Sequence, residues 1–196
     1  LRMAVNAPFG FQLHKAGNVP EDLLECYSSD STILGLGDAV ILAGSYAGVA
    51  PNPYRPTVTR CAASGAIFGV VERIDQWKVE GSDHNLSRRH KPGSVGMYLG
   101  VRRARIDDIY KIQANGAVAV TQVGEVGNLA TIVDANTTTG VSKMELDAAS
   151  LATAQTAYQL VVRGYPEDAL VERNVAYQEV LVSFNNIQAF HAFGGV

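Results

Sequence analysis

The sequence predicts a mainly β protein, a single domain built as a β-barrel or β-sandwich, and three observations carry that expectation. β-Branched runs with period-two alternation recur along most of the 196 residues. Gly, Asn, Asp and Pro punctuate these runs at spacings of roughly 8–12 residues, the rhythm of sandwiches and barrels. Helical periodicity, by contrast, is thin. A chain of this length buries a core without metal or disulfide staples.

The first element is Val5-Asn6-Ala7-Pro8-Phe9-Gly10-Phe11, an apolar ribbon ahead of any regular pattern. Pro8 lacks a backbone N–H and biases Ala7 toward extended geometry, while Gly10 between two phenylalanines favours a bend. Two Phe side chains left in water are a liability. The ribbon is therefore either an anchoring arm buried in another chain or an edge strand packed on its own domain. Read as an arm, it sets residues 1–20 apart from a β-rich domain over residues 21–196. Pro20-Glu21-Asp22-Leu23-Leu24-Glu25 suits a single helical turn with Pro at its first position.

Strands are expected over residues 39–43, 57–61, 67–74, 95–101, 109–113, 117–122, 129–133, 158–164 and 175–184. Gly35, Gly37 and Asp38 precede the first of them and Gly44 follows it. Gly69 within 67–71 lets a strand bend or approach a neighbour closely. Asn115-Gly116, between Tyr110-Lys111-Ile112-Gln113 and Val118-Ala119-Val120, predicts a hairpin, because a type I′ turn needs positive φ at both central residues. Residues 145–156 suit a short helix or an irregular Ala/Thr loop. Two stretches read as long excursions from the core: 47–56, with Pro51, Pro53 and Pro56, and the polar stretch 78–94.

Composition narrows the function. The hydrophobic fraction is 47%, largely Ala and Val, with no run of about 18 apolar residues and no apolar leader pattern, so neither a membrane span nor a signal peptide is expected. A net charge of −3 argues against direct nucleic-acid binding, which favours a basic excess. Positive charge gathers in Arg88-Arg89-His90-Lys91 and in Arg102, Arg103 and Arg105, read as solvated loops or as a docking surface. Cys26 and Cys61 have no metal-ligand spacing and read as free, small apolar fillers, with one intramolecular disulfide as the alternative.

The usual catalytic constellations are missing from the sequence. Gly44-Ser45-Tyr46-Ala47-Gly48 is out of register for a nucleophile elbow, and no phosphate-binding loop occurs. His84 and His90 share a loop with Asp83, but at neither helical nor strand spacing for a metal cage. Ile106-Asp107-Asp108-Ile109-Tyr110 is similar to the substrate motif of the trimeric all-β dUTP-hydrolysing enzymes. That family's preceding Gly is Ala104 here, and its Ser-rich and Gly-rich motifs are missing. The alternative reading is a charged turn leading into the strand at 109–113.

Over most of its length the chain resembles the decoration, or cement, proteins on the heads of tailed bacteriophages. The resemblance rests on an order of features: Asn6-Ala7-Pro8-Phe9-Gly10-Phe11, Gly37-Asp38-Ala39-Val40, Pro56-Thr57-Val58-Thr59, Ile67-Phe68-Gly69-Val70-Val71 and Tyr110-Lys111-Ile112-Gln113. Thr137-Thr138-Thr139-Gly140, Glu145-Leu146-Asp147, Leu160-Val161-Val162-Arg163-Gly164 and Val180-Leu181-Val182-Ser183-Phe184-Asn185 complete it. The basic residues of 78–94 and the loop at 47–56 depart from it. The family includes jelly-roll dimers and β-tulip or barrel trimers. Trp77 is read as a core plug or an interface anchor.

The resemblance implies a structural, non-catalytic protein without cofactor or metal, on the outer surface of a virion assembled in the host cytoplasm. Its partners would be the major capsid protein and itself, as a homotrimer in preference to a homodimer. Capsid contacts are expected at Val5, Pro8, Phe9 and Phe11, with Arg88, Arg89 and Lys91 as secondary charged contacts. The alternatives are a dUTPase-like trimeric nucleotide hydrolase and a carbohydrate-binding fibre or receptor module.

Overall fold

Ala39-Val40-Ile41-Leu42 is apolar on both faces of a strand, and such a strand needs a core on each side. The computed structural model supplies two. It describes residues 4–17, 23–29, 31–49, 52–79, 89–93, 95–130, 132–153, 156–167 and 173–188, without the side chains of 45–49, 52–54 and 76–79. The chain is mainly β: among the described residues ten strands form a closed barrel and an open five-stranded sheet packed together.

The barrel order is β2 (Leu23–Ser28), β4 (Asn52–Arg60), β3 (Ala39–Val49), β5 (Gly69–Val79) and β6 (Met97–Arg103). Its pairs are antiparallel except where β2 meets β4 in parallel at Tyr27 and Thr57, next to the Arg55–Glu25 ion pair at 3.0 Å. The open sheet runs β1 (Gln12–Lys15), β7 (Ile109–Gln113), β10 (Glu179–Phe184), β9 (Leu160–Gly164) and β8 (Val126–Gly127), antiparallel throughout.

Strand alternation divides the apolar residues between two cores. Val40, Leu42 and Val71 turn into the barrel to join Cys26, Val58, Phe68 and Leu99. Ala39, Ile41 and Val70, on the opposite faces of the same strands, meet Tyr110, Ile112, Val162, Val182 and Phe184 from the sheet. β3 and β5 therefore serve both cores. Gly69 sits where β5 crosses onto β6, and a Cβ there would collide with the Arg102 carbonyl, so the close approach expected of this glycine is what it provides.

Several sequence expectations are corrected. Asn115-Gly116 makes no hairpin: the Asn115 amide binds the Leu146 carbonyl at 2.9 Å, and its side-chain oxygen accepts from Ala148 N–H at 3.0 Å. That capping bond at the 3₁₀ turn Ala148–Ser150 diverts the residue from a tight turn, and β7 pairs with β1 and β10 instead. Residues 120–122 form a 3₁₀ turn in place of a strand, and Leu129 contributes only a bridge to Leu146. Leu23-Leu24-Glu25 belongs to β2, not to a helical turn. Residues 47–49 and 52–56, expected in a loop, belong to the paired strands β3 and β4, whose ladder is interrupted by register shifts, while 50 and 51 lie outside the described residues. Lys78 and Val79 close β5, whereas 80–88 and 94, with Asp83 and His84, lie outside the described residues, as does the side chain of Trp77.

Candidate functional site

The N-terminal ribbon is part of its own domain. Phe11 is buried, its ring edge-on to Tyr110 at 5.8 Å and 5.3 Å from Phe184. Its N–H donates to the Gly37 carbonyl at 2.9 Å, and the chain then enters β1, which pairs with β7 through a register shift between Leu13 and Lys15. Ahead of it the buried Gln113 fixes the backbone: its Oε1 accepts from Ala7 N–H at 3.1 Å, and its Nε2 donates to the Val5 carbonyl at 2.8 Å. The expectation of an arm with no core of its own to join is corrected, because Phe11 completes an aromatic cluster on the face of its own sheet.

The expected contact residues therefore divide. Val5 is 66% exposed. Pro8 and Phe9 are half-buried, and the Lys111 ammonium sits 5.3 Å from the centre of the Phe9 ring. These three remain at the surface. Phe11 does not, and its capsid-contact role is withdrawn. Lys91 is corrected in the same way: it is fully buried, its ammonium donates to the Thr32 carbonyl at 2.9 Å, and its backbone exchanges hydrogen bonds with Leu34 at 2.8 and 3.1 Å. That bridge draws the residue out of the charge run. Arg89 is exposed, and Arg88 lies outside the described residues.

A groove of about 430 Å³ runs beside β1. Phe9, Leu13, Leu36, Val71 and Val141 make it apolar, with Glu72 on its wall. A second groove, of about 420 Å³, also reaches β1 at Gln12 and Leu13 and is lined by His14, Lys111, Glu167 and Glu179, with Lys111 and Glu179 paired at 3.1 Å. β1 thus borders both an apolar trough and a charged one. The strand carries defences against pairing with another chain: four residues only, an irregular register, and Lys15 at its end. Such an edge favours contact through groove side chains over addition of a further strand.

The turn Gly35-Leu36-Gly37-Asp38 borders the apolar groove, with Gly37 in the left-handed region at φ 86°. Behind it Asp38 is fully buried. Burial, its largest influence, pushes the carboxyl up to about 6; the Ser142 hydroxyl, the Gly35 amide and Arg60 oppose this, and Asp134 adds to it. Nothing in the sequence separates this carboxylate from an ordinary turn residue.

A second buried charge escaped the sequence reading. Arg102 of β6 and Asp108, just before β7, are both buried and meet at 3.0 Å, and Asp108 also accepts from Gly17 N–H at 2.8 Å. Tyr110 of the dUTPase-like motif is fully buried, so it presents no ring to a sugar. Burial also pushes its phenol well up. Cys26 and Cys61 are unpaired and buried, their thiols pushed up by burial to about 12 and about 11.

Among the described residues no group of three or more His, Cys, Asp or Glu is placed to hold a metal ion, and no helix is long and apolar enough to cross a membrane. Compared with family models, with curated proteins and with solved structures, the chain gives no match in any of the three.

Proposed function

We propose that the chain is a capsid decoration protein, binding the outer surface of a phage head and reinforcing contacts between major capsid subunits. The observation that carries this reading is the surface around β1, where a half-buried Phe9 lines an apolar groove and the ribbon ahead of it, held to Gln113, leaves Val5 exposed. The order of sequence features shared with cement proteins supports it from the other side. The reading uses the ribbon in two parts: Phe11 fixes it from within, and Val5, Pro8 and Phe9 face the capsid. Arg88 and Arg89 serve as charged contacts. A closed homo-oligomer, trimer in preference to dimer, multiplies weak contacts by avidity.

Co-sedimentation with undecorated heads tests the reading. Val5→Asp combined with Phe9→Ala is expected to weaken attachment roughly tenfold or more per site, since burial of a large apolar side chain contributes about 1.5–3 kcal/mol. If salt weakens attachment more than this pair of substitutions does, the Arg contacts dominate. Light scattering on the free chain reports the oligomer. A monomer that also fails to bind heads at micromolar concentration overturns the proposal.

A further inference from the structure

Three separate stretches of chain meet at the turn that carries Asp38. The Gly37 carbonyl accepts from Phe11 N–H at 2.9 Å, and Gly37 N–H donates to the Val71 carbonyl at 2.8 Å. Leu36 N–H donates to the Gly140 carbonyl and Leu36 C=O accepts from Ser142 N–H, both at 2.8 Å, while Val71 N–H returns to the Asp38 carbonyl at 2.9 Å. One turn therefore ties the N-terminal ribbon, barrel strand β5 and the 140–144 segment together. Both cores begin at its next residues, Ala39 facing the sheet and Val40 facing the barrel interior.

The Asp38 side chain lies at the centre of this junction. Its Oδ2 accepts from Gly35 N–H at 2.7 Å. Its Oδ1 is buried and makes no hydrogen bond of good geometry; the neighbouring Ser142 hydroxyl, whose oxygen accepts from Met144 N–H at 3.0 Å, keeps its own hydrogen and favours the charged form. An ionised carboxylate has room for about four hydrogen bonds, and here only the Gly35 amide and the Ser142 hydroxyl serve it in a site closed to water, so burial outweighs them and favours the protonated form. The charged groups acting on it are Arg60 of β4 and Asp134, themselves paired with each other. The 140–144 segment presents the uncharged Ser142, and the ribbon and β5 meet the turn through backbone groups. Glu72, beside Val71, is 3.9 Å from Arg102, and Lys91, opposite Leu34, donates to the Thr32 carbonyl.

We infer that Asp38 is a proton-operated latch on the seam between barrel and sheet: protonated, it holds the junction closed, and ionised, it loosens the grip of the turn on the N-terminal ribbon. The carboxyl keeps its proton up to about 6 in the folded chain, against 3.8 for a free Asp. Folding therefore takes up a proton between these values. The stabilising contribution is fully present below pH 4 and lost as the pH rises through 6, the reverse of the usual acid behaviour. For this one group the folding equilibrium changes roughly a hundredfold across that window.

Amide hydrogen exchange on the full chain tests the latch. After correction for intrinsic rates, Phe11 and Gly37 amides should exchange at least about tenfold faster at pH 7.5 than at pH 4.5 relative to the Ile112 amide, as the two-sided coupling requires. Asp38→Asn, neutral and of the same shape, should abolish that pH dependence and keep both amides slow. Persistence of the wild-type ratio in Asp38→Asn overturns the latch. If the variant does not fold, a carboxyl-carbon NMR titration of the wild-type chain decides: a midpoint near 4 overturns it, and so does a raised midpoint without the accompanying change in Phe11 exchange. A raised midpoint with that change supports it.

Discussion

Five strands close on themselves in one part of this chain and five lie open in the other, and the two arrangements use apolar residues differently. Barrel strand β6 is buried at six consecutive residues, and β3 and β5 feed a core on either face. Sheet strands β7, β9 and β10 alternate, every second residue turning into one core. Closure leaves the barrel no free backbone edge, whereas the sheet must protect two. One is met by a bridge from Val126 to Ala152, and the other is β1, short and irregular. The lesson is that the barrel carries rigidity while the open end of the sheet is where the chain has surface to offer.

The sharpest way to break this division is to cut the charge pair that joins its halves. Arg102 belongs to the barrel and Asp108 to the entry of sheet strand β7, and both are buried. Arg102→Met leaves Asp108 buried without its cation and should cost about 3–5 kcal/mol. Denaturant unfolding followed by two probes checks it. Replacing both residues by apolar ones should recover much of the loss, because it is the orphaned charge that is expensive. A loss below about 1 kcal/mol for Arg102→Met would mean that the pair does not staple barrel to sheet.

The next test separates the two phenylalanines that the sequence presents as equals. Phe11→Ala should destabilise the fold by about 3–5 kcal/mol, since it empties a site between Tyr110 and Phe184. Phe9→Ala should cost no more than about 1 kcal/mol, the scale of its contact with the Lys111 ammonium. Urea midpoints read the first effect and head binding reads the second. Equal losses of stability would place both rings in the core and remove the ribbon from the proposed docking surface.

That pair also shows where sequence reasoning stops. Phe9 and Phe11 flank the same glycine, and only the fold decides that one points into an aromatic cluster and the other toward solvent. The strands were legible where alternation or an apolar run is long, as at Gly69–Val79, Met97–Arg103 and Leu160–Gly164. β1 and β2 were not: Gln-Leu-His-Lys has a single apolar residue, and Leu23–Ser28 follows a Pro-Glu-Asp that mimics a helix start. Asn115-Gly116 has the chemistry of a turn, yet a capping bond 33 residues away takes precedence. Lys91, Asp38 and the Arg102–Asp108 pair escaped for a common reason. Burial of a charge depends on partners such as Thr32, 59 residues from Lys91, that no local pattern reveals.

The smallest expected effect uses the two cysteines as reporters, one in each core. Cys26 lies in the barrel interior and Cys61 in the layer between barrel and sheet, where Gln159 Nε2 approaches its sulfur at 3.1 Å. Burial pushes Cys26 up to about 12, with Glu25 adding to it, and Cys61 to about 11, with the Gln159 hydrogen bond opposing the rise. Only the thiolate reacts, so at pH 8 both thiols should be slow in the folded chain and reactive after denaturation, with Cys61, whose rise the Gln159 hydrogen bond opposes, the faster of the two. Alkylation followed by peptide mass mapping gives the ratio directly. Equal rates would mean that reagent enters only through global unfolding, which treats barrel and sheet as one cooperative unit. Faster reaction at Cys26 would break the comparison outright, because it requires the closed barrel to open before the seam does.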